Sequence, residues 1–155
     1  MSIRFGRALL RPRNLAFTIV GMFLLIQLAP VWLWQTNPSG TREPRWDSSV
    51  TRQLASRACF DCHSNYTKWP WFTRIAPASW LATLDVQQGR NAMNFNNWRT
   101  GSGGSDGQGE WASNSAEAIQ NGSMPPQQYL WLHPDAALTN SEKQQLIAGL
   151  QRSLK

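Results

Sequence analysis

The sequence predicts an all-α protein, in which one membrane-spanning helix near the N-terminus precedes a single small helical domain. Two observations lead to this prediction. Residues 15–34 form an uncharged, mainly apolar run of the length that a helix needs to cross a bilayer. Beyond this run, apolar residues recur at helical spacing in several segments, and neither a convincing strand pattern nor an internal repeat is present.

The first 35 residues predict an uncleaved signal anchor. Residues 1–14 carry four arginines and no acidic residue, which places the N-terminus in the cytoplasm by the positive-inside rule. The apolar run, taken as 15–35, is longer than the roughly 7–15 residues of a signal-peptide core, and no clean Ala-x-Ala site follows it. Within residues 15–34 Gln27 is the one strongly polar residue, and Trp32 and Trp34 are expected at the far interface, where indoles prefer to lie. Cleavage is the alternative, and either interpretation exports the rest of the chain.

Residues 36–46 contain two prolines and a glycine and predict a linker, so the domain is expected to cover residues 47–155. Asp47 is expected to cap the first helix of this domain. The apolar stripe of that helix is Val50, Leu54, Ala55 and Ala58. The helix would deliver the two cysteines of the chain, Cys59 and Cys62, at its C-terminal end.

Cys59, Cys62 and His63 form a Cys-x-x-Cys-His run, which is the sequence that attaches a c-type haem. Each thiol can add to one vinyl group of the porphyrin, and the histidine that follows offers a ring nitrogen to the iron. The run therefore predicts one covalent haem c, bound through thioethers at Cys59 and Cys62, with His63 as the proximal ligand of the iron. Haem attachment of this kind takes place outside the cytoplasm, which agrees with the predicted anchor.

Three alternatives for the two cysteines are less well supported. A redox dithiol is typical of a strand–helix–strand context, which the surrounding sequence lacks. A structural zinc site needs four Cys or His ligands, and only His133, seventy residues beyond His63, remains to complete one. A structural disulfide between cysteines this close together rarely adds stability.

The segments that follow the motif are bounded by proline and glycine. Residues 64–78 contain two prolines and predict a loop, and residues 79–90 predict a helix. Residues 91–98 are ambiguous. Residues 101–109 are rich in glycine and predict a flexible, exposed insert.

Two helices are predicted after the insert. Residues 111–121 form the first, which ends at Gly122, a residue suited to a helix C-terminus. Thr139 and Glu142 form a capping box at the start of the second. The buried face of this last helix is predicted to be Leu146, Ile147, Leu150 and Leu154.

A haem held by His63 has a sixth iron position, for which the sequence offers Met124, Met93 and His133. Met124 is the favoured candidate, because it lies between a glycine at a helix end and two prolines that would stiffen the loop. Met93 is expected in core packing, and His133 in a structural role or in a hydrogen bond to a haem propionate. A methionine ligand raises the reduction potential and suits an electron carrier, whereas an open site would suit peroxide chemistry or small-ligand binding.

The net charge and the tryptophan content limit the functions that the exported part can have. Because four of the fifteen basic residues precede the apolar run, residues 36–155 hold eleven basic and nine acidic residues, a net charge of about +2. This is not the balance of a nucleic-acid-binding protein. Seven of the nine tryptophans lie outside the apolar run, and Trp69, Trp71 and Trp80 are expected to pack in the domain core or in the haem pocket.

The helix that ends in the Cys59–His63 run, the loop at Met124 and the capped last helix together resemble class I cytochromes c. The stretches 64–81 (SNYTKWPWFTRIAPASWL), 94–98 (NFNNW) and 122–142 (GSMPPQQYLWLHPDAALTNSE) are similar to those of small bacterial monohaem proteins described as haem-binding domains.

The resemblance covers most of residues 45–150. It implies a class I cytochrome c-like fold, haem binding by Cys59, Cys62 and His63, and Met124 as the distal ligand of the iron. The glycine-rich insert departs from the family pattern, which more usually has a charged, helix-forming stretch there, and this departure concerns only the surface.

These features favour a membrane-anchored monohaem c-type cytochrome that carries electrons to or within a membrane redox complex, on the periplasmic side of a bacterial cell membrane. Membrane lipid and that complex are the expected partners, and the protein either binds the complex transiently or is one of its stable subunits. No catalytic residue is expected. The alternative is a peroxidase-like haem enzyme or a small-ligand sensor with an open sixth iron site.

Overall fold

The computed structural model describes residues 12–39, 42–97 and 105–153, the last range without the side chains of its first five residues. The helices are α1 (Pro12–Ile26), α2 (Ser49–Ala58), α3 (Phe60–His63), α4 (Ala78–Ala92), α5 (Ser105–Gln120), α6 (Gln127–Leu130) and α7 (Asn140–Ser153). Short 3₁₀ turns lie at Val31–Trp34, Trp71–Arg74 and Pro134–Ala136. Within these ranges no strand is present, and Arg42 and Asn97 form an isolated parallel bridge. The predicted all-α class is confirmed for the described residues.

The chain divides into two compact units. The smaller unit comprises residues 1–36 and 69–84, and the larger unit comprises residues 37–68 and 85–155. Helix α4 contributes its first seven residues to the smaller unit and its last eight to the larger one.

Residues of the predicted linker pack within the larger unit. Asn37 donates from Nδ2 to the carbonyl oxygen of Thr67 at 2.8 Å. The N–H of Arg42 donates to the carbonyl oxygen of Asn96 at 3.1 Å. The division into units therefore falls at residue 36 and not at the start of the first domain helix.

Two glutamine side chains hold the smaller unit together. The amide of Gln27 pairs with the backbone of Ala76: its Nε2 donates to the carbonyl oxygen (3.2 Å), and its Oε1 accepts from the N–H (2.9 Å). Gln35 donates from Nε2 to the carbonyl oxygen of Thr73 (2.5 Å) and to Oγ1 of Thr83 (3.2 Å). These bonds occupy the one strongly polar side chain of the apolar run and join the end of that run to the second segment of the unit.

Helix α1 contains no buried residue. In the described part of the chain, the stretch Pro12–Trp34 is long and apolar enough to cross a membrane, and a signal sequence in this N-terminal position would have the same properties.

The core of the larger unit lies where α7 packs against α5 and α2. Its buried side chains are those of Leu54, Ala55, Phe60, Met93, Phe95, Ala112, Ala116, Ile119, Leu146, Ile147 and Leu150. A Cβ at Gly149 in α7 would overlap the side chain of Thr51 in α2. The two helices can approach this closely because residue 149 has no side chain.

The predicted N-cap of α2 is wrong by one residue. Ser48 is the cap, since its Oγ accepts a hydrogen bond from the N–H of Thr51 at 3.1 Å. The carboxylate of Asp47 is instead paired with Arg152 at 2.7 Å, so the long-range ion pair takes the side chain away from the helix end.

Both predicted signals at the later helix ends are confirmed. Gly122 has φ of +77°, the left-handed conformation that glycine adopts most easily after a helix. Thr139 Oγ1 accepts from the N–H of Glu142 (3.2 Å), and the carboxylate of Glu142 accepts from the N–H of Thr139 (2.8 Å), which completes the capping box. Of the predicted buried face of α7, Leu154 lies outside the described residues.

Some expectations about exposure and length differ from the structure. Val50 is 41% exposed and does not belong to the buried stripe of α2. Trp71 and Trp80, expected in a core or pocket, are 75% and 37% exposed. Helix α5 begins at Ser105, so part of the predicted flexible insert is helical, and residues 101–104 lie outside the described residues.

Candidate haem site

One helical turn carries Cys59, Cys62 and His63. The N–H of Cys59 donates to the carbonyl oxygen of Ala55 at 2.8 Å and closes α2. The Cys59 carbonyl then accepts from the N–H groups of Cys62 (3.2 Å) and His63 (2.8 Å). Residues three and four positions apart lie on the same side of a helix. The structure thus brings the three predicted haem residues together on one side of a single turn.

The imidazole of His63 is oriented by a backbone carbonyl. Its Nδ1 lies 3.1 Å from the carbonyl oxygen of Met93. Because a carbonyl can only accept, Nδ1 carries the hydrogen. Burial lowers the pKa of His63 below its ordinary value, which favours the neutral ring with its lone pair on Nε2. A carbonyl acceptor on the other ring nitrogen is the usual means by which a metal-binding histidine is oriented.

The segment that supplies this carbonyl is itself tied to the motif. The N–H of Phe95 donates to the carbonyl oxygen of His63 at 2.8 Å, and the N–H of Asn65 donates to Oδ1 of Asn96 at 2.7 Å. These bonds fix the position of Met93 relative to His63. No sequence signal identifies the acceptor, because the backbone carbonyl is common to all residues.

Gly89 allows α4 to approach the motif. A Cβ at this position would lie 2.5 Å from the carbonyl oxygen of Cys62 and 2.9 Å from its Cβ. The Gly89 carbonyl also accepts from the N–H of Met93 at 2.9 Å. The absence of a side chain therefore permits the packing at Cys62, while the backbone carbonyl of the same residue helps to place the acceptor for His63.

The first spacer residue of the motif, Phe60, is part of the core. It is 4% exposed, and its ring centroid lies 6.1 Å from that of Trp46 and 5.4 Å from that of Phe95. This packing holds the turn that carries both cysteines.

The second spacer residue, Asp61, connects the motif to two other segments. Its Oδ1 accepts from the N–H of Lys68 (3.2 Å), and its carbonyl oxygen accepts from Oγ1 of Thr67 (2.8 Å). Its Oδ2 accepts from the hydroxyl of Tyr129 in α6 at 2.7 Å. Because α6 directly follows the loop that contains Met124, Asp61 links that loop to the motif. The Cys-x-x-Cys-His pattern leaves both spacers unspecified and so does not predict these roles, although the acidic residue inside the motif was an available signal.

The two thiols are unsuited to thiolate chemistry. Desolvation raises the pKa of Cys59 to about 12 and that of Cys62 to about 11, so both free thiols are protonated at neutral pH. Reactive dithiols and zinc sites use thiolates instead. Among the described residues, no group of three or more His, Cys, Asp and Glu side chains could hold a metal ion. The raised pKa values of both thiols argue against a reactive dithiol.

The three candidates for the sixth iron position have different surroundings. Met93 is 9% exposed and lies in the core, where its Sδ accepts a hydrogen bond from Oγ of Ser115 at 3.7 Å. The ring of His133 stacks on that of Tyr129 with 4.1 Å between centroids, and its Nδ1 lies 3.1 Å from the Tyr129 carbonyl oxygen. Met124 is 40% exposed.

The side chains of this site fit a haem. The bond to Met93 uses Nδ1 of His63 and leaves Nε2 for the iron, and the free thiols of Cys59 and Cys62 lie on the same turn. Asn96, which accepts from the N–H of Asn65 two residues after His63, has a buried Nδ2 that, like Arg57 Nε, has no hydrogen-bond partner in the described part of the chain.

A helical unit that carries the turn of Cys59, Cys62 and His63 is typical of haem-binding proteins. The haem-binding domain family matches residues 21–152, and the chain belongs to this family. Neither a curated protein nor a solved structure matches the chain.

Proposed function

We propose that this protein is a membrane-anchored monohaem c-type cytochrome that carries electrons to or within a membrane redox complex on the periplasmic side of a bacterial membrane. The observation that carries the proposal is the turn of Cys59, Cys62 and His63, with His63 oriented by the Met93 carbonyl. When bound, the haem supplies an iron that changes between Fe(II) and Fe(III).

The chain's own residues would bind and orient this group. Cys59 and Cys62 would hold the porphyrin through thioethers, and His63 would bind the iron through Nε2. The hydrogen bond from His63 to the Met93 carbonyl fixes the ring and makes the imidazole a more basic ligand. Electron transfer requires no proton transfer from any of these residues, and we therefore propose no enzymatic activity.

Met124 is the proposed distal ligand. Met93 is occupied, because its carbonyl pairs with Nδ1 of His63 and its side chain packs in the core. The ring of His133 stacks on that of Tyr129, and its Nδ1 pairs with the Tyr129 carbonyl. Met124 keeps a partly exposed thioether, and its loop is connected to the motif through α6.

The apolar helix is proposed to remain attached and to span the membrane, with its N-terminus in the cytoplasm. The family match begins at residue 21, so the shared domain includes part of α1. Gln27 and Gln35 bond with residues 73–83, and cleavage after the apolar run would remove at least the first of these contacts. A signal that is discarded after export has no need of such contacts.

The first test is the spectrum of the full chain, purified from the membranes of a host that matures c-type cytochromes. We expect a c-type α band in the reduced protein and haem that stays with the polypeptide after acid–acetone extraction. Cys59→Ser combined with Cys62→Ser is expected to abolish covalent haem while leaving the polypeptide in the membrane fraction. Covalent haem in that double variant would overturn the proposal.

The second test concerns the distal ligand. Met124→Ala is expected to lose the long-wavelength charge-transfer band of methionine-bound ferric haem and to lower the reduction potential. Met93→Leu is the matched control and is expected to keep the band, because leucine preserves the core volume. A band that survives in Met124→Ala contradicts the assignment, and rapid carbon monoxide binding by the unaltered protein favours the enzyme or sensor with an open site.

A further inference from the structure

The smaller unit buries small residues and exposes large apolar ones. Among its described residues four side chains are buried, and they are Thr73, Ala76, Ser79 and Thr83. Its segment 69–84 exposes five large apolar side chains: Trp71 (75%), Ile75 (40%), Trp80 (37%), Leu81 (62%) and Leu84 (50%). In water-soluble proteins large apolar side chains are more often buried than exposed, and a concentration of exposed ones marks a contact surface. Small residues inside and large apolar residues outside are the arrangement found in lipid, where no hydrophobic force drives large side chains inward.

Helix α4 changes this arrangement along its length. In its first seven residues, Ser79 and Thr83 are buried while Leu81 and Leu84 are exposed. In its last eight residues, Val86 is 5% exposed, and the polar residues at 85, 87 and 88 are exposed. The change coincides with the boundary of the two units at residues 84 and 85. The reversed pattern therefore belongs to the smaller unit and not to the helix as a whole.

Gln27 sets the depth of this segment relative to the apolar helix. Helix α1 has 15 residues, which span about 22 Å, less than the roughly 30 Å of bilayer hydrocarbon. Since Arg13 lies at its N-terminal end, the span must continue beyond Ile26 and include Gln27. Unsatisfied amide groups at this depth are costly. The side-chain amide of Gln27 and the backbone N–H and C=O of Ala76 satisfy one another.

We propose that residues 69–84 form a second membrane-contacting element, which lies in the far interface of the bilayer beside the anchor. This inference rests on the proposed anchoring of the chain. The indoles of Trp71 and Trp80 suit the headgroup region, and Leu81 and Leu84 suit the adjoining acyl chains. Arg74 is exposed and is the one charged residue in the sequence from 69 to 84, and its cation suits anionic lipid.

The occupant of this surface is lipid and not the acidic face of a soluble partner. The surface belongs to the same unit as a helix whose described residues are all unburied, and Gln27, just after that helix, pairs with Ala76. Five of the nine tryptophans of the chain lie in this unit, at positions 32, 34, 69, 71 and 80. An aromatic belt at a membrane interface has this composition.

The test is carbene footprinting of the full haem-loaded chain in lipid nanodiscs. A lipid-soluble diazirine is activated by light, and labelled peptides are quantified by mass spectrometry. We expect labelling of α1 and of residues 71–84, at a level at least about fivefold above that of Trp131 and Leu132 in the larger unit. Those two control residues are 74% and 65% exposed, as accessible as Trp71 and Leu81. A water-soluble carbene reagent should label Trp131 and Leu132 and spare residues 71–84.

The outcomes separate this inference from the proposed function. If the lipid-soluble probe labels α1 but labels residues 71–84 no more than Trp131, the inference is overturned. The proposed anchoring by α1 would then still stand. That result would also indicate that a protein, absent from the nanodisc, covers the surface. An unlabelled α1 overturns the anchoring and the inference together, while the covalent haem spectrum is tested independently.

A pair of matched variants completes the test. Leu81→Asp places a charge on the proposed lipid surface and is expected to lower lipid-probe labelling of residues 71–84 about fivefold. Leu132→Asp is the control, and neither substitution removes a buried side chain. The haem spectrum should be unchanged in both variants, which shows that they fold. Equal labelling in Leu81→Asp and in the unaltered chain would refute the membrane contact.

Discussion

The larger and the smaller unit are stabilised by different interactions. The larger unit buries leucine, isoleucine and phenylalanine side chains where α7 meets α2 and α5, so burial of apolar surface holds it together. The smaller unit buries only threonine, serine and alanine among its described residues, and its specific ties are the hydrogen bonds of Gln27 and Gln35. One chain can therefore contain two kinds of interior. The two units should accordingly respond to different substitutions.

Substitution of a packing glycine should show the largest difference between the units. Gly149→Ala forces a Cβ into the side chain of Thr51 and is expected to lower the free energy of unfolding by about 2–3 kcal/mol. The control is Gly21→Ala in α1, where nothing lies within 4 Å of the added Cβ. Unfolding by denaturant, followed by haem absorbance in detergent, measures both. Equal loss of stability in the two variants would show that the close packing at Gly149 does not distinguish the larger unit from the smaller one.

Thr51→Ala tests whether the destabilisation by Gly149→Ala comes from overlap with the Thr51 side chain. In the double variant with Gly149→Ala, part of the overlapping side chain is gone, so the two substitutions should destabilise less than the sum of their separate effects, by about 1 kcal/mol. Additive effects would show that the helices accommodate the added methyl group by moving apart.

Loss of the Gln27 amide should affect the smaller unit alone. Gln27→Leu leaves the N–H and C=O of Ala76 without their partner, at a cost of about 1–3 kcal/mol in local opening. Hydrogen exchange of the peptide that contains Ala76 should become faster, with the haem spectrum unchanged. Gln88→Leu, at an exposed position of α4, is the control and should leave that exchange rate as it is.

The bond between Tyr129 and Asp61 should have a smaller effect, confined to the larger unit. Tyr129→Phe removes a hydrogen bond to a carboxylate and is expected to cost about 1–2 kcal/mol. Because this bond links α6 to the motif, the methionine–iron charge-transfer band should also weaken. Tyr66→Phe alters the other tyrosine of the chain and should keep the band. A full-strength band in Tyr129→Phe would show that the loop at Met124 is held by other contacts.

The smallest effect is expected at the ion pair between Glu43 and Arg52. The hydrogen bonds from Arg52, at 2.8 Å each, hold the pKa of Glu43 below its usual 4.5. A carboxyl with a lowered pKa in the folded state stabilises the fold above the unfolded-state pKa and loses this contribution as the pH falls through the folded-state pKa. Arg52 is half exposed, so the contribution is about 0.5 kcal/mol. The difference in stability between the protein and Glu43→Gln should therefore be present at pH 7 and be lost as the pH falls below the usual 4.5 and through the lowered pKa of the folded state.

Local features of the fold were predictable, and long-range ones were not. The capping box at Thr139, the positive φ of Gly122 and the helix that leads into Cys59 depend on residues within one or two turns of each other. The pairing of Gln27 with Ala76 joins residues 49 positions apart, and no local sequence pattern predicts it. Trp71 was expected inside because a tryptophan is large and apolar, an argument that assumes water as the solvent.

The candidate site follows the same division. The motif itself can be read from five consecutive residues, but its support comes from Met93, Gly89 and Tyr129, which lie 27 to 68 positions from the motif residues that they contact. Two of these three act through the backbone or through the absence of a side chain. Such roles leave no trace in residue type alone, since glycine and methionine occur for many other reasons.

The pairing of Gln27 with Ala76 has a practical consequence for preparing the protein. Deletion of residues 1–36 is the obvious route to a detergent-free sample, yet it would remove the partners of Ala76 and Thr73. The shortened chain would still carry the exposed indole of Trp71 and the exposed side chains of Leu81 and Leu84. We expect such a sample to associate through this segment and to dissolve only after residues 71, 81 and 84 have been made polar as well.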